Sequence, residues 1–260
     1  MNANENEDNN PKRWAAELHD DADLFKQPDG SHLGECPICF LPMPLDKQKW
    51  SFWPCCSRNF CNGCIYANYL SNKHDMMKAW SCPFCRTMAS DKEENKKRVM
   101  KRIKANDPAA MREMGIKIYH EGVHDKAFVY WTKASELGDV ESHYWLGYVY
   151  GEGDGVEKDE EKAVYHYGKA AISGHHVARY NLGAVEEENG NIERAVKHFI
   201  IAANLGDEKS MKALWDHYSA GNITKEDLEA TLRTHKAAID AMKSAQRDAG
   251  EVALKNGFRI

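Results

Sequence analysis

The chain has 260 residues, 42% of them hydrophobic and 29% charged, enough for one large domain or two modest ones. Its net charge of -5 argues against a general nucleic-acid binder. The N-terminus lacks the basic end and apolar core of a secretory leader, and no stretch reaches the length of a membrane span, so an intracellular chain, cytoplasmic or nuclear, with no membrane partner is expected.

Residues 1–12 are rich in Asn, Glu and Asp and predict disorder. Trp14, Leu18, Leu24 and Phe25 follow, with Pro28, Asp29 and Gly30 as breakers, so residues 1–33 read as an N-terminal extension, disordered or docked. All eight cysteines then fall between Cys36 and Cys85. They form four pairs: Cys36 and Cys39, Cys55 and Cys56, Cys61 and Cys64, Cys82 and Cys85. Three pairs are C-x-x-C, a spacing that lets two sulfurs bind one tetrahedral ion. Disulfides, the rival reading, belong to secreted chains. Two structural zinc ions are therefore the expected cofactor, and metal binding would supply the folding free energy that so small a module lacks. Residues 40–54 are apolar with prolines, as in a loop packed over its neighbours, and Ile65, Tyr69, Met76 and Trp80 suggest a helix with one buried side.

Over residues 34–88 the order of ligand pairs, long loop, helix and final C-P-x-C resembles a RING-type zinc finger. The resemblance implies a cross-brace, with Cys36, Cys39, Cys61 and Cys64 on one zinc and Cys55, Cys56, Cys82 and Cys85 on the other. Most RING fingers carry C-x-H at the second pair. Here Arg58 occupies the histidine position and cannot ligate, so the all-cysteine variant is the better match. An alternative has only one of Cys55 and Cys56 binding, with His74 completing the site. The resemblance further implies a ubiquitin ligase that grips a ubiquitin-conjugating enzyme. Ile38 would be the exposed apolar contact, Pro83 would shape the contact loop, and Arg86 would orient the thioester. An apolar residue and an arginine flanking zinc ligands can also serve packing and solubility alone, and Trp80 is assigned to the core.

Residues 89–106 are a charged, helix-favouring linker. Their K-K-R-x-x-K-R cluster offers a nuclear signal or nucleic-acid contact, but a solvated face is preferred and no nucleic-acid partner is expected. From Asp107 the chain repeats. Gly115, Gly147 and Gly183 share a register, as do Trp131, Tyr167 and Phe199, and Gly138, Gly174 and Gly206 end the units. The ending glycines are 36 and 32 residues apart, a solenoid period. Each unit reads as two short helices, with the aromatic filling the gap to the next pair and the ending glycine taking a left-handed turn. The pattern resembles Sel-one-like repeats, relatives of tetratricopeptide repeats, and G-E-G-D-G-V-E-K-D at 151–159 resembles that family's glycine loop.

A fourth unit fades at Trp215, and one long helix from about Lys225 to Ala253 is predicted to close the stack, leaving 254–260 as a tail. A metal site at His175 and His176 is not expected, because adjacent helical residues point apart. No nucleophile–base set, phosphate loop or paired carboxylates appear, so no catalytic side chain is assigned. The fold class expected is a small zinc-stapled RING-like domain plus an all-α helical-repeat solenoid. The function expected is ubiquitin ligation, with a protein substrate or adaptor bound on the concave side of the repeats. The alternatives are a non-catalytic zinc-dependent scaffold and an RNA- or chromatin-associated adaptor.

Overall fold

The first helix of each solenoid pair begins where the sequence supplies a cap. The structure, a computed structural model, describes residues 21–89 and 91–259. In the repeat region, helices α5 (Pro108–His120), α6 (His124–Glu136), α7 (Val140–Glu152), α8 (Glu160–Ile172), α9 (His176–Glu188) and α10 (Ile192–Asn204) form three consecutive pairs. The first helix of each pair starts at a side-chain N-cap. Asp107 accepts from the Ala110 N–H, Asp139 from Ser142 and His175 from Ala178, which satisfies one amide that the helix itself leaves unpaired. Gly138, Gly174 and Gly206 have φ of 85°, 84° and 99°, so they take the left-handed turn.

The repeated glycines and aromatics face one another. A Cβ on Gly115 would lie 2.5 Å from the Trp131 ring, one on Gly147 2.6 Å from Tyr167, and one on Gly183 2.6 Å from Phe199. The aromatic therefore fills the space inside its own helix pair, not only the gap to the next. Trp131 does both, stacking on Trp145 of the following pair at 5.0 Å between ring centroids. Trp131 and Phe199 are almost wholly buried, and Leu146, Val149, Leu182 and Leu214 carry the core along the stack.

The fourth unit is helix α11 (Glu208–Ser219), with Ser210 and Leu214 buried and Trp215 exposed. Thr224 caps helix α12 (Lys225–Ala241), which packs on α10 and α11 and closes the stack. The single long helix expected over 225–253 is broken. Met242 and Lys243 leave the helix, and Ser244 caps a separate helix α13 (Ala245–Lys255) by accepting the Arg247 N–H. The break lets α13 turn away from the solenoid and lie on the cysteine-rich module.

That module contains a two-stranded antiparallel hairpin, β1 (Trp50–Trp53) and β2 (Arg58–Cys61), registered Trp50 to Cys61 and Trp53 to Arg58. Helix α2 (Asn62–Ser71) follows directly, and then a short turn of helix α3 (Met76–Ala79). Helices α13 and α2 touch backbone to backbone. A Cβ on Gly63 would lie 2.6 Å from the Arg247 Cα, and one on Gly250 2.8 Å from the Gly63 Cα. The tail residues pack on the module, since the Phe258 ring sits 5.1 Å from Tyr66, 5.0 Å from Tyr69 and 5.7 Å from Trp80.

The charged linker is helix α4 (Lys92–Lys104), capped by Asp91. It packs on α5 and is tied back to the module: Arg98 donates to the Met88 carbonyl at 3.1 Å and Arg102 to the Cys55 carbonyl at 2.7 Å. In the N-terminal extension, Trp14 and Leu18 lie outside the described residues. Helix α1 (Asp21–Leu24) docks on α8, with Leu24 buried and the buried Arg179 donating to its carbonyl. The chain then crosses the starts of the repeats. The His32 N–H donates to the Gly174 carbonyl at 3.2 Å, and Leu45 lies against Gly206. The module is thus seated on the solenoid at the turns that begin its third and fourth units.

Candidate metal centres

Two cysteine pairs owe their shape to the same local turn. After Cys36 and Cys39 comes Phe40 at φ 56°, and its N–H donates to the Cys36 carbonyl at 2.9 Å. After Cys82 and Cys85 comes Arg86 at φ 61°, donating to the Cys82 carbonyl at 3.0 Å. Each turn points two sulfurs the same way. Cys61 and Cys64 instead sit at the start of α2, where Cys61 is the N-cap residue and the helix dipole favours a thiolate. Cys55 and Cys56 occupy the hairpin turn between β1 and β2.

Folding gathers these pairs by interleaving. The sulfurs of Cys36, Cys39, Cys61 and Cys64 form one group, and those of Cys55, Cys56, Cys82 and Cys85 the other, each within 4.8 Å. The sulfurs of Cys39 and Cys61 are 3.9 Å apart, those of Cys56 and Cys82 3.8 Å, and those of Cys55 and Cys85 3.4 Å. A disulfide needs about 2.05 Å, whereas the edge of a tetrahedron with zinc–sulfur bonds of 2.3 Å is about 3.8 Å. All eight thiols are free, so both groups fit a tetrahedral thiophilic cation. His74 is exposed and belongs to neither group, while Cys55 and Cys56 both belong to the second.

The electrostatics show why such groups suit a cation. Hydrogen bonds from Cys61 and Cys64 hold the Cys36 thiol far below its ordinary range, while its bond with Cys36 pushes Cys61 up to about 11. In the second group the Cys55 bond draws Cys82 down to about 5, and burial pushes Cys56 up to about 12. Without a cation, then, one sulfur ionises at the expense of its neighbours. A divalent ion would remove that conflict.

His32, Glu141 and His175 form a third cluster of potential ligands. His32 Nε2 lies 2.9 Å and His175 Nε2 3.4 Å from Glu141 Oε2. It does not suit a metal. His175 Nδ1 accepts the Ala178 N–H, so its proton resides on Nε2, the atom that would have to ligate. Burial by itself would raise the Glu141 carboxyl, but the adjacent His175 and His32 imidazoles hold it well below its ordinary range. The cluster is a hydrogen-bonded staple between the module and the repeats. His176 faces Asp207 at 3.9 Å instead, so the two adjacent histidines serve different partners.

The residues assigned to a conjugating enzyme sit differently from one another. Ile38 is half-buried between the two sulfur groups, packing on both; among the module's exposed apolar side chains are Phe40 and Phe84, 70% and 47% exposed. Pro83 is buried, as a loop-shaping residue would be. Arg86 is exposed and donates to Asn68 Oδ1 at 3.2 Å. Trp80 is half-buried in the ring cluster around Phe258. Sequence reasoning missed Gln246 and Arg247 on α13. Gln246 Nε2 donates to Cys64 Sγ at 3.1 Å and Arg247 Nη2 to Cys39 Sγ at 3.4 Å. The one signal in the sequence was Gly250, a glycine in the middle of a helix-forming run.

Comparison with known proteins addresses the repeats. Residues 108–139, 140–175 and 176–207 each match the Sel1 repeat family. The match begins and ends within a residue or two of the caps and ending glycines described above. Among solved structures, a Sel1 repeat protein from Oxalobacter formigenes is 24% identical, with a TM-score of 0.51 over 69% of this chain and 74% of that one. A protective antigen of uropathogenic Escherichia coli with an SLR fold is 18% identical, with a TM-score of 0.49 over 75% of this chain and 46% of that one. No curated protein matches. The first likeness shows the solenoid fold. Sel1 repeats act in protein–protein interaction. Among the described residues no helix is long and apolar enough to cross a membrane.

Proposed function

We propose that the chain is a RING-type ubiquitin ligase: a two-zinc module that grips a ubiquitin-conjugating enzyme, held on Sel1 repeats that bind a protein partner. The observation that carries this reading is the interleaved pair of four-sulfur groups, which joins the first C-x-x-C to the third and the second pair to the fourth. In such a module all four coordination places of each ion would be filled by sulfur, so zinc would be structural and would hold the contact loops in place. The chemistry would then rest on orientation. A conjugating enzyme carries ubiquitin as a thioester; a substrate amine attacks the carbonyl, a C–N bond forms and the C–S bond breaks. The ligase need only hold the thioester in a reactive pose. Phe40 and Phe84 would supply the apolar grip, Ile38 and Pro83 would shape the surface beneath them, and Arg86, swung from Asn68, would reach the thioester.

The experiment is discharge of ubiquitin from a panel of conjugating enzymes. The wild type should accelerate discharge. Phe84→Ala and Ile38→Ala should weaken binding of the conjugating enzyme, and Arg86→Ala should preserve binding but slow transfer about ten- to a hundredfold, the range for losing one charged hydrogen bond. Absence of stimulation with every conjugating enzyme would replace this reading with a second one, a zinc-dependent interaction scaffold. That second reading is favoured by the way the module is built into the repeats, through His32, Leu45 and α13.

A further inference from the structure

We infer that Gln246 and Arg247, from the far end of the chain, belong to the first metal centre and make it the slowly exchanging one of the two, leaving the second centre labile and thiol-reactive. The inference rests on the reading above that both sulfur groups hold zinc.

The two centres differ in cover and in charge. Cys36, Cys61 and Cys64 are 0–2% exposed, and α13 lies over them through the close contact of Gly63 with Gly250. In the second group Cys85 is exposed and Cys55 and Cys56 are partly so. Four thiolates around a divalent zinc carry a net charge of about −2. Such a centre needs donors and positive charge around it, and outer partners of this kind orient ligands and hold metal.

The first centre has both. Arg247 is 5% exposed, and its guanidinium donates to the carbonyls of Pro42 at 2.7 Å, Met242 at 2.6 Å and Leu41 at 3.1 Å, besides Cys39 Sγ. No carboxylate among the described residues pairs with it, so the thiolates are the anionic partner of this buried cation. A buried cation without an anion is costly, and Arg247 and the metal centre therefore stabilise one another. Gln246 adds the bond to Cys64.

At the second centre the nearby cations point elsewhere. Arg102 bonds the Cys55 carbonyl rather than its sulfur, Arg58 lies 4.7 Å over the Phe84 ring, and Arg86 turns to Asn68. Among the described residues, Cys85 Sγ there donates to Thr87 Oγ1 at 3.3 Å.

The test uses full-length, zinc-loaded protein, a chromogenic chelator in excess, and N-ethylmaleimide with peptide mapping. Two phases of one zinc each are expected, with Cys55, Cys56, Cys82 and Cys85 alkylated in the fast one. Gln246→Leu, a change at an exposed position, should speed only the slow phase, by roughly ten- to a hundredfold, the usual effect of removing an outer-shell partner. Arg247→Met should speed it at least as much, with Arg247→Lys in between. One phase in the wild type, or an unchanged slow phase in Gln246→Leu, overturns the inference while leaving the two-zinc reading intact. Fewer than two zincs in the untreated protein overturns both.

Discussion

Acidification should unfold the solenoid before carboxylates are at issue, because three histidines are buried in it and two more are partly buried. His143 and His166 share a 3.0 Å contact between their Nδ1 atoms, His175 and His176 sit at the start of α9, and His198 lies beneath Phe25 and Arg179. Burial, more than neighbouring charge, pushes them down from 6.5: to about 4 for His143, His175 and His176, and about 3 for His166 and His198. A folded value below the unfolded one means that the unfolded chain takes up the proton first. Stability is then fully present above pH 6.5 and is lost as pH falls toward 4.

At pH 6 the unfolded chain would hold on the order of four more protons than the folded one, and from pH 7.5 to 5.5 each histidine would cost about 1.4 kcal/mol. Five independent groups sum to about 7 kcal/mol, comparable to the whole stability of an ordinary domain. The sum is an upper bound, because Glu141 and Asp207 offer His175 and His176 partial compensation and His143 and His166 act as a pair. Urea midpoints followed by circular dichroism across that range, with zinc release monitored in parallel, measure the proton uptake. His198→Gln should lower it by about one proton. A midpoint unchanged between pH 7.5 and 5.5 with zinc retained would refute the assignment of these histidines as neutral in the folded chain.

Three further outcomes follow from the packing. Gly115→Ala places a methyl group 2.5 Å from the fully buried Trp131 ring and should cost about 1–3 kcal/mol despite alanine's better helix propensity, seen as a lower melting temperature. Gly250→Ala drives a methyl group into the Gly63 backbone and should loosen α13, so that Cys64 becomes alkylated faster while the far-ultraviolet spectrum of the repeats is kept. Cys55→Ser should reduce the bound zinc toward one per chain by elemental analysis. Full zinc content in that variant would mean that the adjacent cysteines do not share an ion.

The repeats were legible because their physics is local. A capping Asp or His, a left-handed glycine and a glycine opposite an aromatic recur at solenoid spacing, and each acts within a single helix pair. The ligand types were legible for a similar reason, since C-x-x-C on a tight turn or a helix start aims two sulfurs together whatever the rest of the chain does. The break at Met242 was less legible, although Ser244 is an ordinary cap, because the run from Lys225 to Ala253 contains no proline and reads as helix throughout.

Only the tertiary structure decided where the ends of the chain go. Arg247 looks in sequence like one more charged residue on a solvated helix, yet it is buried 208 residues from the Cys39 sulfur it contacts. His32 and Glu141, 109 residues apart, form a staple that neither residue announces. Periodicity reports which side of an element is apolar, not which distant surface will cover it. That choice depends on the summed shape of both faces, on Gly63 against Gly250 and on Leu45 against Gly206, and it exists only once the solenoid and the cysteine-rich module have folded against each other.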